Sequence, residues 1–222
     1  MADYFKTPGQ EGTGSSRQPD PPPNFGFSVA RVLHDGADVF MHSVHESADG
    51  SDVWVTMSLV RRDAAGLMTV KRQVSARFTP NGAHNAASTA AESDSRLEDE
   101  ASLNKAQVRA YIDLVVEGGG SEHRDAFIDR GRFVSHSADS SCRDEGYDAF
   151  AARRRPRPGL SYHGVDDVVG EGGYVAVFSC FDMDGATYRA CDLLRLEDGR
   201  IVEHWDVVEE VAPHSVAHND DA

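Results

Sequence analysis

The sequence predicts an α+β fold: a cone-shaped, curved antiparallel sheet wrapped around three helices, preceded by a partial β-sheet copy that has none. Three observations predict it. Helical periodicity is confined to the middle of the chain, between about residues 102 and 155. Strand-like runs separated by turn dipeptides fill the stretches on either side. Finally, "VARVLHDGADVFMHSVHE" (Val29 to Glu46) lies over "VDDVVGEGGYVAVFSCFD" (Val165 to Asp182) without gaps, with Val, Val, Gly, Val and Ser at matched places. We read this as an internal repeat whose helices occur only in the second copy. The expected organisation is a disordered tail over 1–24, a partial sheet unit over 25–80, a linker over 81–101, the cone over 102–212 and a second tail over 213–222.

Each element has its own justification. The first 24 residues, with "TPGQEGTGSSRQPDPPPN", are too poor in apolar side chains to order themselves. Four strands follow, "FGFSVARVL", "DVFMHSVHE", "VWVTMSLVRR" and "LMTVKRQVSARF", separated by turn signals at Asp35-Gly36, Asp49-Gly50 and Ala65-Gly66. The stretch from Thr79 to Glu100 is polar and rich in small residues, as a linker would be. In "SLNKAQVRAYIDLVVEGGG", Leu103, Val108, Ile112, Val115 and Val116 recur at helical spacing, with Ser102 as N-cap and glycines as the stop. Ser121 caps a short second helix, "RFVSHS" reads as a brief strand, and Asp144 caps a third helix in "DEGYDAFAARRR". Four more strands close the chain at Leu160–Val169, Tyr174–Asp182, Thr187–Leu196 and Ile201–Val211.

Composition excludes several functions. Lys plus Arg number 22 against 37 Asp plus Glu, a net charge of −15. No surplus of cations is left to neutralise phosphates, so neither nucleic acid nor an anionic membrane is an expected partner. The basic run "RRRPRP" at Arg153 to Pro158 reads as a solvated surface turn. Three cysteines, Cys142, Cys180 and Cys191, show no CxxC spacing, which argues against a disulfide framework or a thiolate zinc site. There is no signal-peptide pattern and no apolar run of membrane-spanning length, so the expected location is the cytoplasm. Nucleophile elbow, P-loop and HExxH patterns are absent as well.

The chemistry concentrates in "LEDGRIVEHWDVVEE", Leu196 to Glu210. Asp198-Gly199 between two apolar runs marks a hairpin. Its second arm carries His204 and Asp206 two residues apart, hence on one face of a strand. A three-residue or bulged turn sets Tyr188, Asp192 and Leu194 opposite that face; a strict two-residue turn sets Cys191 and Leu193 there instead. Trp205 points the other way, toward a neighbouring sheet or subunit. Both registers stand on spacing alone.

The second half resembles the SnoaL-like branch of the nuclear-transport-factor-2-like superfamily. The resemblance rests on "CDLLRLEDGRIVEHWDVVEEV" (Cys191 to Val211), on "FVSHSAD" after the second helix, and on "NKAQVRAYIDLVVEGGG" as the opening helix. It covers about residues 104–211, half the chain. It implies a cone fold with a ligand-sized pocket, usually in a homodimer, working without a metal or organic cofactor through Asp, His and Tyr side chains. It favours the first hairpin register. It also implies a catalytic set of Asp206, His204, Asp192 and His136, with Tyr188, Leu194 and Trp205 contacting substrate.

A carboxylate in an apolar cavity has its charged form desolvated and can shuttle a proton, and a nearby imidazole can orient or assist it. The expected activity is therefore a cofactor-independent cyclase, isomerase or hydratase acting on a small molecule. The alternative is a non-catalytic ligand-binding or dimerisation module, and epoxide hydrolysis, with Arg189 between two acids, ranks third. In the first copy the positions matching Asp192, His204 and Asp206 fall near Ser58, Lys71 and Gln73, so that copy lacks the set. Without helices to cover it, the first sheet is expected to pack on the second as an intramolecular pseudo-dimer, the other arrangement being a homodimer.

Overall fold

A computed structural model describes residues 25–78, 96–137, 145–153 and 158–211. The two expected tails, most of the expected linker and the Asp144 cap lie outside the described residues. Strands β1 (Gly26–Asp35), β2 (Asp38–Glu46), β3 (Val53–Arg62) and β4 (Met68–Phe78) form one antiparallel meander in that spatial order. A second, six-stranded sheet contains β5 (Val134–Ser137), β6 (Glu145–Gly146), β7 (Leu160–Glu171), β8 (Tyr174–Met183), β9 (Ala186–Glu197) and β10 (Arg200–Val211). Its order is β6-β5-β10-β9-β8-β7, and β5 runs parallel to β10.

Helix α1 (Arg96–Tyr111) passes directly into a π-helical turn at Ile112–Glu117. It starts inside the stretch expected to be linker, so Ser102 is an interior residue and does not cap it. The buried stripe runs through Ala101, Asn104, Val108, Tyr111, Ile112 and Val115. Leu103 falls one position off that stripe and is 72% exposed, contrary to the sequence reading. A 3-10 turn at Ser121–His123 leads into the four-residue α2 (Arg124–Phe127), and α3 spans Tyr147–Arg153.

The second sheet curls around these helices. Register shifts in β7 at His163 and Asp166 are bulges, which bend a strand and increase its twist. The curl lets α1 lie on β7 and β8, where the Asn104 side-chain amide donates to the Gly172 carbonyl at 3.0 Å. Val108, Tyr111 and Ile112 then meet Val175, Val177 and Leu194 from the concave face in one apolar cluster.

The convex face of the same sheet is covered by the first sheet. Phe178, Cys191, Leu193, Trp205 and Val207 pack there against Leu33, Phe40, Val55, Met57 and Val74. The strands of the two sheets cross steeply. Along β4, Lys71 reaches Asp167 of β7 at 2.8 Å, while four residues on the Ser75 amide donates to Glu209 of β10 at 3.3 Å. This is the orthogonal form of sheet packing. Arg31 from β1 lies against the rings of both Tyr174 and Trp205, its guanidinium carbon 4.4 and 4.5 Å from their centroids. Burial is the main influence on this side chain and draws its pKa down from the ordinary arginine value.

Candidate active site

The β9–β10 hairpin decides what faces the concave side. Asp198 and Gly199 both take positive φ, 51° and 71°, the signature of a two-residue type I′ turn. Arg200 accordingly pairs with Glu197. Carried along the strands, that register would place Cys191 opposite Asp206. An extra residue at Val202 intervenes: Ile201 pairs with Leu196, but Glu203 pairs with Arg195. Beyond this bulge His204 stands opposite Leu194, and Asp206 opposite Asp192. The strict turn and the register favoured by the resemblance therefore coexist, because one bulged residue resets the parity.

Asp192, Leu194, His204 and Asp206 line a cavity between the helices and the concave sheet. Its wall is otherwise mostly apolar, including Tyr111, Ile112, Phe133, Phe150, Tyr162 and Phe181. About 710 Å³ of non-atom space lies along this lining, open solvent at its mouth included. His204 and Asp206 are 1% and 2% exposed. The Asp192 side chain retains 22% exposure, so of the three groups it is the most open.

His204 is held at both ring nitrogens. Nε2 lies 2.7 Å from Asp192 Oδ1, and Nδ1 lies 3.0 Å from the hydroxyl of Ser135. Phe150 from α3 stands edge-on to the ring at a centroid distance of 5.2 Å. Two carboxylates directly opposite one another on adjacent strands repel when both are ionised. The ligand atoms of Asp192, His204 and Asp206 lie within 4.8 Å of one another, so among the described residues these three form a group that could also hold a cation.

The remaining expected site residues do not reach the cavity. His136 was expected to face it, but parallel pairing aligns His136 with Trp205 and Ser135 with His204. His136 thus lies on the convex side, stacked on Trp205 at 4.8 Å with its Nε2 3.6 Å from the Glu203 carboxylate. Trp205 lies in the intersheet core, so it does not contact the cavity as a substrate-binding residue would. Tyr188 shares the concave parity but sits beyond the lining, buried and stacked on Phe181 at 5.4 Å. Two contributors were missed. Ser135 is the neighbour of His136 in a strand whose parity no pattern in "RFVSHS" fixes. Phe150 lies on a helix expected only as an element. Arg189 is exposed and does not line the cavity.

Comparison with solved structures returns α+β cones over about half of this chain. A proposed ketosteroid isomerase from Kribbella flavida is 15% identical, covers 55% of this chain and 93% of its own, and has a TM-score of 0.45. A proposed SnoaL-like polyketide cyclase from Jannaschia is 18% identical over 53% of this chain and 91% of its own, with a TM-score of 0.43. An NTF2-like protein of unknown function from Mesorhizobium loti is 20% identical over 53% and 97%, with a TM-score of 0.42. No protein-family model matches the sequence, and no curated protein does. The likeness is one of fold.

Proposed function

We propose that this protein is a small-molecule enzyme using acid–base catalysis in the cone of its second half, as a cyclase, isomerase or hydratase. The observation that carries the reading is the placement of two carboxylates and one imidazole together on the wall of an otherwise apolar cavity. Asp206 takes a proton from carbon or water and returns it. Asp192, hydrogen-bonded to His204, balances the charge that develops on the imidazole. The apolar wall binds the carbon skeleton and keeps water from competing for the proton. Epoxide hydrolysis through an acid–arginine–acid arrangement is not favoured, because among the described residues no arginine lines the cavity.

The test is a panel of cyclic ketones and aromatic polyketides, scored by binding and by exchange of the proton alpha to the carbonyl. Asp206→Asn, nearly isosteric, should preserve the thermal midpoint and lower exchange or turnover by about 10²–10⁴-fold. A chelator should leave the rate unchanged. Binding without exchange in the wild-type protein supports the ligand-binding module instead. Full turnover by Asp206→Asn removes the role given to that residue.

A further inference from the structure

An edge strand offers unpaired main-chain groups to any other strand unless something blunts it. Among the described residues the two sheets have edges at β1, β4, β6 and β7, and all but β1 are blunted. Strand β6 is only two residues long. Strand β7 carries bulges together with Asp166 and Asp167, and β4 carries a bulge at Lys71 with the charges of Lys71, Arg72 and Arg77. The second half of β1 is closed, because the His34 amide donates away from β2, to the Glu171 carboxylate at 2.9 Å. Its first half is open. From Gly26 to Val29 every residue is exposed, Phe27 at 58% and Val29 at 39%. The stretch "FGFSVA" (Phe25 to Ala30) holds no charge in a chain of net charge −15.

Register fixes which groups are on offer. In an antiparallel pair, residues alternate between turning their main-chain groups toward the partner strand and away from it. His34 turns away from β2, so its partner Val39 turns away from β1, as do Met41, Ser43 and His45 at every second place along β2. Ser43 pairs with Val29 and His45 with Phe27. Beyond the bulge at Ala30, the N–H and C=O groups of Phe27 and Val29 therefore face the open edge. We propose that a second copy of this chain docks here, β1 antiparallel to β1, about a two-fold axis at Ser28. That register sets each Phe27 opposite the other copy's Val29, so that both residues donate and accept across the axis. It also lays an aromatic ring beside a β-branched side chain on one face, a favourable cross-strand pair. The contact is self-complementary and closes at a dimer. Charge favours this occupant. A foreign strand recruited by charge needs an ionised group to meet, and this edge has none, whereas two copies of an acidic chain repel least along an uncharged edge. Salt screens their remaining repulsion and so strengthens the dimer, where it would weaken a pairing of opposite charges.

The experiment is sedimentation equilibrium of the full-length protein at low and high salt, with oxidative cross-linking of a cysteine variant. Wild type should exchange between monomer and dimer, with a dissociation constant that falls as salt rises. Phe27→Pro removes an N–H that β2 does not use, so the melting temperature of the monomer should hold while the dissociation constant rises about tenfold or more. Should that variant fail to fold, Phe27→Glu, at an exposed position, should weaken the dimer likewise by adding like charge beside the axis. Ser28→Cys should give a disulfide-linked dimer joined at position 28, since residues facing each other in such a pair stand about 4.5 Å apart at Cα, within disulfide reach. A monomer at every concentration and salt overturns the inference, whether the edge is then taken by the chain's own first 24 residues or by a foreign strand. So does a dimer untouched by Phe27→Pro and Phe27→Glu, or one that forms no cross-link at position 28.

Discussion

Phe40 joins the two sheets and offers a direct measure of how far they form one cooperative unit. Its side chain is fully buried between them, edge-on to Phe178 at a centroid distance of 6.2 Å. Truncating a buried phenylalanine to alanine costs about 3–5 kcal/mol through lost transfer energy and the cavity left behind. The pairing with Phe178 accounts for about 0.5–1.5 kcal/mol of that. Against a total stability of about 5–15 kcal/mol for a native protein, Phe40→Ala should remove roughly a fifth or more. The chain supplies its own reporters, since its two tryptophans fall one in each sheet, Trp54 in β3 and Trp205 in β10. Urea unfolding followed by fluorescence in Trp54→Phe and Trp205→Phe backgrounds reads the sheets separately, and the second substitution keeps an aromatic face for Arg31. Phe40→Ala should shift both transitions to lower urea by the same free energy. Combining it with Phe178→Ala should fall short of additivity by about 0.5–1.5 kcal/mol. If the Trp54 transition alone moves, or precedes the other, the sheets unfold independently and the packing argument is wrong.

Other outcomes follow from the same geometry. Residues 101–222 expressed alone should expose the convex face and self-associate in sedimentation, whereas a monomer as stable as the full chain would count against the covering role of the first sheet. Arg31→Lys should lower the melting temperature almost as much as Arg31→Met, because an ammonium cannot replace a planar guanidinium lying against two rings. Burial pushes the Cys191 thiol well above its ordinary value, so peptide mapping after iodoacetamide at mildly alkaline pH should find it unmodified until the protein is unfolded. The Tyr147 hydroxyl, desolvated and bonded to Asp125, is pushed up to about 12 and in turn holds the Asp125 carboxyl below its usual range. A depressed carboxylate stabilises the fold above its unfolded pKa and ceases to as pH falls through the folded one. The melting-temperature gap between wild type and Tyr147→Phe should therefore narrow under acid titration below about pH 4.

The strands, their turn glycines and the three helices were legible in the sequence because each depends on local spacing. The α+β cone followed from their order along the chain. His204, Asp206 and Asp192 were legible as a set, but their facing register was not, since spacing cannot reveal a bulge at Val202. The His136 reading failed for a related reason. A four-residue strand between polar stretches carries no alternation strong enough to fix its parity, and its partner is set by a parallel pairing nearly seventy residues away in sequence. Leu103 misled because apolar character was counted where the stripe is completed by Asn104, a polar residue whose amide has a carbonyl to bond. Crossing sheets leave no periodic trace at all, because their packing joins distant segments, as Lys71 with Asp167.

Strand β10 presents His204 and Asp206 to the cavity, and Trp205 and Val207 to the neighbouring sheet. Along these four positions no side chain is left to solvent. Any attempt to redesign the pocket by altering this strand will therefore also be heard in the protein's folding, and any attempt to stabilise the sandwich there will be heard in the pocket. Over evolutionary time such a strand has little freedom to drift. Adaptation to a new ligand would come more readily from the helix side, where Ile112 and Phe150 line the cavity without also serving the intersheet layer.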